Sequence, residues 1–460
     1  MKRIAILTAG GDTPALNATI CGAVARANQL RVEVLGIIKG YNGLLNHRLP
    51  HVLLNPLFQP IPELDATHGG TLIGSSRDYV DASDTKTLEA IVDRLGRLNV
   101  EGLVCIGGDG TLNGLQPFTT MMPSILAPKT IDNDLGLNYE NEPDEWLRHS
   151  DTNRACGYRY DKAPCHTDFH RDHMINYVTP GYATSVFVTS QDVQRIRTTA
   201  ESHRRVAIVE VMGRDSGFIA LGTAYGQPDL ILVPEQPINL ELLVDRIKEI
   251  YSLQKNVVIV CGEGIRDFDG NLLGALPTTD PAGNKRLSGA GEALRQMLIA
   301  AIGDEYFRSH RRGETAAEAI FTRKAGHTQR GGRPIQFDRF HAAQLGGKAV
   351  DLLNEGANNR IATLQWSEKK DFFVDDFDAN RFRDRWGLIH ARQLHRSFYD
   401  PCDMRPSRAG IEYLLPIFTN ALGESDLEYI RQTAFAPGVL THPYHSPNTD
   451  VHKRIRYLEE

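Results

Sequence analysis

The chain has 460 residues, more than a single hydrophobic core usually serves, so two or three lobes are expected. Hydrophobic residues make up 41% and glycines number 41, which fits a compact, loop-rich enzyme and excludes the disordered and fibrous classes. With 51 basic against 57 acidic residues the net charge is −6, which argues against a general nucleic-acid surface but allows a local basic pocket.

The N-terminal stretch "MKRIAILTAGGD" goes directly into a buried strand and a glycine turn, without the apolar core of a signal peptide. No segment offers 18 uninterrupted apolar residues, so neither a membrane span nor a membrane partner is expected, and the cytoplasm is the expected location. A helix carrying Ala, Ile and Val on one side follows, then the strand "VEVLGII" and the turn "GYNGLL". The spacing predicts a helix over 84–98 with Asp84 as its cap, leading into the strand "VEGLVCIGG". "PSILAPKTIDND" supplies a further strand and loop. Residues 138–178 break this rhythm, being polar, aromatic and irregular, and read as an insertion. They contain Cys156, Cys165, His166, His170 and His173, but the order matches no common zinc spacing, and Asp168, Arg171 and Asp172 between the histidines suit a solvated loop. A surface insertion or subunit contact is expected there. The six cysteines of the chain include no CxxC and form no disulfide framework.

A second α/β stretch follows: a helix over 184–200, the strand "RVAIVEVMG", the helix "DSGFIALGTAYG", the strand "DLILVPEQP", a helix over 239–253 and the strand "NVVIVCGEG". "AGHTQRGG" then makes a glycine turn before a long helix that returns to the first lobe. The expected architecture is α/β, with two Rossmann-like three-layer lobes and mostly parallel sheets. The boundaries read as 1–183 (with the insertion at 138–178), 184–325, a return helix within 326–362, and a C-terminal extension over 363–460. Beyond 362 the chain is acidic and aromatic and shows no recognisable chemistry. It reads as surface packing or an oligomer contact.

Ligands of such sheets lie at the carboxyl ends of the strands, where Gly10-Gly11-Asp12 and Gly107-Gly108-Asp109 both fall. Glycine turns with bare N–H groups attract phosphate, and Thr111 follows the second turn. No GxxxxGK[ST] occurs, which disfavours a P-loop NTPase. Asp109, Asp132 and Asp134 stand among these loops, as expected where a phosphate chain is neutralised by a divalent metal. Asp109 reads as the Mg²⁺ ligand, and one of Asp132 and Asp134 can deprotonate an alcohol while the other holds it or the metal's water. Arg77, Arg205, Arg214, His327 and Arg330 sit beside strand ends or glycine turns, so a phosphorylated acceptor would meet several two-pronged donors.

Together "AILTAGGDTPALN", "GGTLIGSSR", "CIGGDGTLNG", "PKTIDND", "VEVMGRDSG", "PEQP" and "GHTQRGG" resemble the phosphofructokinase family, in family order over roughly residues 3–355. Alone, GGDGT is also similar to the phosphate loop of NAD and lipid kinases; TIDND with MGR and GHTQRGG is specific. The resemblance implies the phosphofructokinase fold and Mg²⁺-dependent phosphorylation of fructose 6-phosphate at its 1-hydroxyl, the committed step of glycolysis. It makes Asp132 the general base and Asp109 the Mg²⁺ ligand, with Thr130 and Asp134 lining the acceptor and metal region. Gly10 and Arg77 would meet the transferring phosphate. Tyr41 would lie near the nucleotide, alongside Gly11, Gly108, Gly110, Thr111 and Lys129. Met212, Gly213, Arg214 and Glu235 would contact the sugar, and His327, Arg330 and Arg205 its 6-phosphate.

Phe321 stands where the family usually has an arginine, with Arg323 two residues later. Gly110 leaves room for the α-phosphate of ATP, whereas pyrophosphate-using relatives typically carry Asp there. Lys129 suits either donor. ATP is the expected donor and pyrophosphate the alternative. A non-catalytic sugar-phosphate sensor or assembly subunit is the reading from another class. Arg205 precedes Met212 by seven residues, and an extended strand would separate them by roughly 20 Å. Arg205 is therefore expected to act across an interface, in a homodimer or homotetramer.

Overall fold

The computed structural model describes every residue except 79, 152–156, 164–167, 280–284, 288, 311–313, 434–435, 437–439, 442 and 460. The first lobe is built on an eight-stranded sheet. Arg3–Ala9 lies at its centre, paired in parallel with Glu33–Ile37 on one side and Leu103–Gly107 on the other. Ser124–Pro128 follows Leu103–Gly107, also in parallel, and the short strand Ser75–Ser76 pairs with the end of Arg3–Ala9. These central strands are continuous apolar runs because both faces of the sheet are covered.

Two outer additions are antiparallel, His51–Leu53 at one edge and Asp371–Asp378 at the other. Asp371–Asp378 pairs with Arg360–Ser367, which itself joins Ser124–Pro128 in parallel. The expected boundary at 362 thus falls inside a strand of the first sheet.

The second sheet is wholly parallel, in the order Leu230–Leu232, Val257–Gly262, Val206–Val211, Ile320–Lys324. Helices Tyr182–His203, Leu240–Gln254 and Ala290–Ile302 pack against it. Local chemistry sets several helix starts. Asp84 accepts a hydrogen bond from the Thr87 N–H at the start of Thr85–Arg97, and Asn239 does the same for Leu242 at the start of Leu240–Gln254.

The insertion is more regular than its composition implies. Trp146–Ser150 and Tyr158–Lys162 form an antiparallel pair, with the Arg148 guanidinium 4.3 Å from the centroid of Tyr158. Cross-strand contacts of that kind supply what a polar sequence lacks in apolar burial. The Trp146 ring stacks on His390 at 3.9 Å, so the insertion rests on the extension. The rings of His170 and His173 lie 6.2 Å apart, while Cys156, Cys165 and His166 fall outside the described residues. The extension is also part of the core: Leu394, Phe398, Tyr399, Met404, Tyr413, Leu414 and Ile417 are buried with the apolar residues of the second lobe. No helix among the described residues is long and apolar enough to cross a membrane.

The return helix Gln336–Asn354 lies along Leu16–Leu30 at unusually close approach. A Cβ on Gly346 would land on the Thr19 carbonyl, and one on Gly22 on the backbone of Ala343. Gly346→Ala should therefore force the helices apart, cost about 1–3 kcal/mol and lower the melting temperature by several degrees. An unchanged thermal transition would contradict this close contact.

Candidate active site

Parallel pairing brings three loops side by side. Thr8 is in register with Ile106, and Gly107 with Pro128, so the glycine turns after Ala9 and Gly107 and the loop after Pro128 leave one edge of the sheet together. From the second sheet, Val206–Val211 delivers Met212 to Asp215, Val257–Gly262 delivers Glu263, and the turn Gly326–Arg330 follows Ile320–Lys324.

Of the expected residues, Gly10, Gly11, Tyr41, Arg77, Gly108, Asp109, Gly110, Thr111, Lys129, Thr130, Asp132, Asp134, Arg214 and Arg330 line one cavity of about 220 Å³. His327 opens instead onto an adjoining recess shared with Gly10, Gly11, Asp12, Arg77 and Arg330. Arg330 links the two. Its Nε lies 3.1 Å from the Met212 sulfur, and its guanidinium occupies the space that a Cβ on Gly11 would need.

Besides His327, four expected residues do not line the cavity, and these do not line the adjoining recess either. Met212 sits behind it under Arg330, with Gly213 following. Arg205 stands at the far end of its strand, its backbone carbonyl accepting from the Val257 N–H at 3.2 Å. Glu235 is outside the lining, its Oε1 accepting from the N–H groups of Gly217 at 2.9 Å and Leu394 at 2.7 Å while its Oε2 has no hydrogen-bond partner among the described residues. Glu263 and Asp215 line the cavity in its place, and so does Ala391 of the extension. Glu263 follows a buried strand directly, so the strand-end rule that singled out the other acids would have found it. Nothing local in the sequence marks Ala391. Arg323 is exposed, its guanidinium 5.6 Å from the Phe321 ring, and lines neither cavity.

The acids dominate the electrostatics. Loss of solvent raises the carboxyl pKa of Asp109, Asp132 and Asp134. Burial, and after it the charges of Asp109 and Asp132, push Asp134 well above the usual carboxylate range, while Arg330 and Arg214 draw Asp132 back down. The same loss of solvent lifts Glu263 to about 7. The Thr130 hydroxyl accepts from the Asp132 N–H at 3.1 Å and donates to the Asp134 carboxyl. One oxygen of Asp132 and one of Asp134 are enclosed with no hydrogen-bond partner among the described residues.

Mg²⁺ takes oxygen ligands and is usually held by one or two carboxylates, with water and phosphate oxygens completing its shell. The unpaired Asp oxygens beside Asp109 fit that donor set. No cluster of three or more His, Cys, Asp or Glu side chains that could hold a metal is present among the described residues.

The chain matches the phosphofructokinase family model over residues 3–139 and 170–353, the gap falling within the insertion. It is 33% identical over 371 residues to an ATP-dependent 6-phosphofructokinase 2 of Streptomyces coelicolor, covering 80% of this chain and 92% of that protein. It is equally, 33%, identical over 371 residues to a pyrophosphate–fructose 6-phosphate 1-phosphotransferase of Dictyoglomus thermophilum, covering 80% and 90%. Two solved structures share the fold over 92% of both chains: pyrophosphate-dependent phosphofructokinases from Marinobacter aquaeolei (TM-score 0.66, 19% identity) and Nitrosospira multiformis (TM-score 0.68, 16% identity). A paired-lobe phosphotransferase is the class that this fold and cavity define. The chain belongs to the phosphofructokinase family.

Lys129 gives the site a pH dependence. It is 2% exposed, and its ammonium donates to the Gly11 and Ala9 carbonyls. Burial, reinforced by Arg330, lowers its pKa to about 7 against the pull of Asp12, Asp132 and Asp134. The amine is charged below that value and neutral above it, and only the charged form attracts phosphate. Affinity for the phosphoryl donor should therefore weaken as pH rises through about 7. Lys129→Met should shrink that dependence in a donor-binding titration, leaving the share that Glu263 contributes as it ionises near 7; a wild-type profile in the variant would contradict the assignment.

Proposed function

We propose that the protein is an ATP-dependent 6-phosphofructokinase that transfers the γ-phosphate of ATP to the 1-hydroxyl of fructose 6-phosphate, giving fructose 1,6-bisphosphate and ADP. The observation that carries this reading is the convergence of Asp109, Asp132 and Asp134 with Arg77, Arg214 and Arg330 in one cavity between phosphate-type glycine turns.

Asp132 accepts the proton of the acceptor hydroxyl. Its raised pKa makes it a stronger base than a solvated carboxylate, and activity is lost as pH falls through that value. Arg214, Arg330 and Glu263 orient the sugar phosphate from the second lobe, with His327 at the adjoining recess. Gly10, Gly11, Gly108 and Thr111 surround the donor phosphates, and Arg77 and Lys129 offset their charge. Asp109 and Asp134 would hold Mg²⁺, which supplies charge neutralisation on the donor phosphates when bound. Little covalent work is needed, because phosphoryl transfer depends mainly on positioning and charge.

Gly110 favours ATP, since a carboxylate there would crowd and repel an α-phosphate. Pyrophosphate is the second reading, supported by Lys129 and by the equally similar Dictyoglomus relative. We place the enzyme in the cytoplasm as an oligomer of at least two chains, with Arg205 reaching a neighbour's sugar-phosphate site. The absence of Arg205 from its own chain's cavity supports that reading.

Purified protein with Mg²⁺ and fructose 6-phosphate should turn over faster with ATP than with pyrophosphate; equal or greater turnover with pyrophosphate contradicts the donor assignment. Asp132→Asn should lose roughly 10²–10⁴-fold in kcat while fructose 6-phosphate still binds. Turnover near that of the wild type would move the base elsewhere.

A further inference from the structure

The family match ends at residue 353, yet the backbone carrying Asp132 is held from beyond that point. Arg392, 3% exposed, donates from Nε and Nη2 to the Asn133 carbonyl at 3.2 and 2.7 Å. Its Nη1 donates to the Asn176 carbonyl at 2.8 Å, and Nη2 also reaches the Tyr177 carbonyl at 3.4 Å. The backbone N–H of Arg392 donates to the Asp134 carbonyl at 2.6 Å, and its guanidinium lies 5.0 Å from the Phe218 centroid.

From the second lobe, the Ser216 hydroxyl donates to the Asp132 carbonyl at 3.2 Å. The carbonyls of 132, 133 and 134 are thus each pinned from outside the loop. Asn133 has a left-handed backbone (φ 56°), and its side-chain amide donates to the Tyr413 hydroxyl at 2.6 Å. Tyr413 also comes from the extension, and its hydroxyl in turn donates to the Tyr177 carbonyl at 3.1 Å. A Cβ on Gly136 would stand 2.5 Å from the Arg392 Nη1, so the loop's sequence leaves space for this guanidinium.

Burying an arginine carries a large desolvation cost unless its donors are met. Here they are met by peptide carbonyls of the reacting loop and of the adjoining 176–177 segment, a use that calls for the planar fork and that an ammonium cannot reproduce. We infer that Arg392 is a positioning residue for phosphoryl transfer: the C-terminal extension clamps the Asp132–Asp134 backbone so that the base meets the acceptor hydroxyl. The inference rests on the phosphofructokinase reading above.

Its test compares wild type, Arg392→Lys and Tyr413→Phe for kcat, for fructose 6-phosphate binding by calorimetry and for thermal unfolding. Arg392→Lys keeps the charge and loses the fork. A displacement of the base by about 1 Å is expected to lower kcat on the order of 10²-fold, with sugar-phosphate affinity nearly unchanged. Tyr413→Phe, which keeps the ring and releases the Asn133 amide and the Tyr177 carbonyl, should show the same split to a smaller degree. A folded Arg392→Lys with wild-type kcat overturns the clamp. So does parallel loss of kcat, binding and melting temperature in both variants, which would mean that the extension only stabilises the fold. A wild-type chain silent with both ATP and pyrophosphate overturns the underlying reading instead, and the two failures are told apart by that control.

Discussion

Enclosing three carboxylates in one cavity is the constraint on which the rest of this structure depends. Loss of solvent raises the pKa of Asp109, Asp132 and Asp134, and neighbouring charge adds to it, Asp132 acting on Asp109 and both of these on Asp134. Arg214, Arg330 and the ammonium of Lys129 offset part of that repulsion. Such an arrangement is costly for an empty protein, and the metal-neutralised phosphate of the proposed function would relieve it. The glycine turns, the second lobe's arginines and the enclosed lysine all follow from that balance.

Three separate packing solutions keep the acids convergent. Parallel register sets the three loops of the first sheet side by side. The glycine-mediated contact between Leu16–Leu30 and the returning helix Gln336–Asn354 ties the end of the family-matched chain to the first turn. The insertion and the extension brace one another through the Trp146–His390 stack, with His390 held 2.7 Å from Asp384. Arg392 follows two residues after that stack. Elements outside the matched family core therefore reach the reacting loop.

Much of this was legible in the sequence, for definite reasons. Strands covered on both faces must be apolar throughout, so "RIAILTA" and "LVCIG" announce themselves, and the loops following them are where ligands bind. Asp84 marked a helix start because capping is a local interaction. Asp371–Asp378 was harder to find, since an edge strand dense in charge lacks the apolar run of a central strand. Glu235 drew attention through its motif, but one of its oxygens accepts from two backbone N–H groups, and Glu263 lines the cavity. Arg392 has no local signal, because its partners lie 259 and 216 residues away.

The most direct test of the central constraint is proton release. Calorimetry of Mg²⁺-donor binding, run at mildly acid pH in buffers of differing ionisation enthalpy, counts the protons displaced. Wild type should release more protons than Asp134→Asn, because the raised carboxyl must ionise when the metal–phosphate unit enters. Equal release by the two proteins would contradict the account.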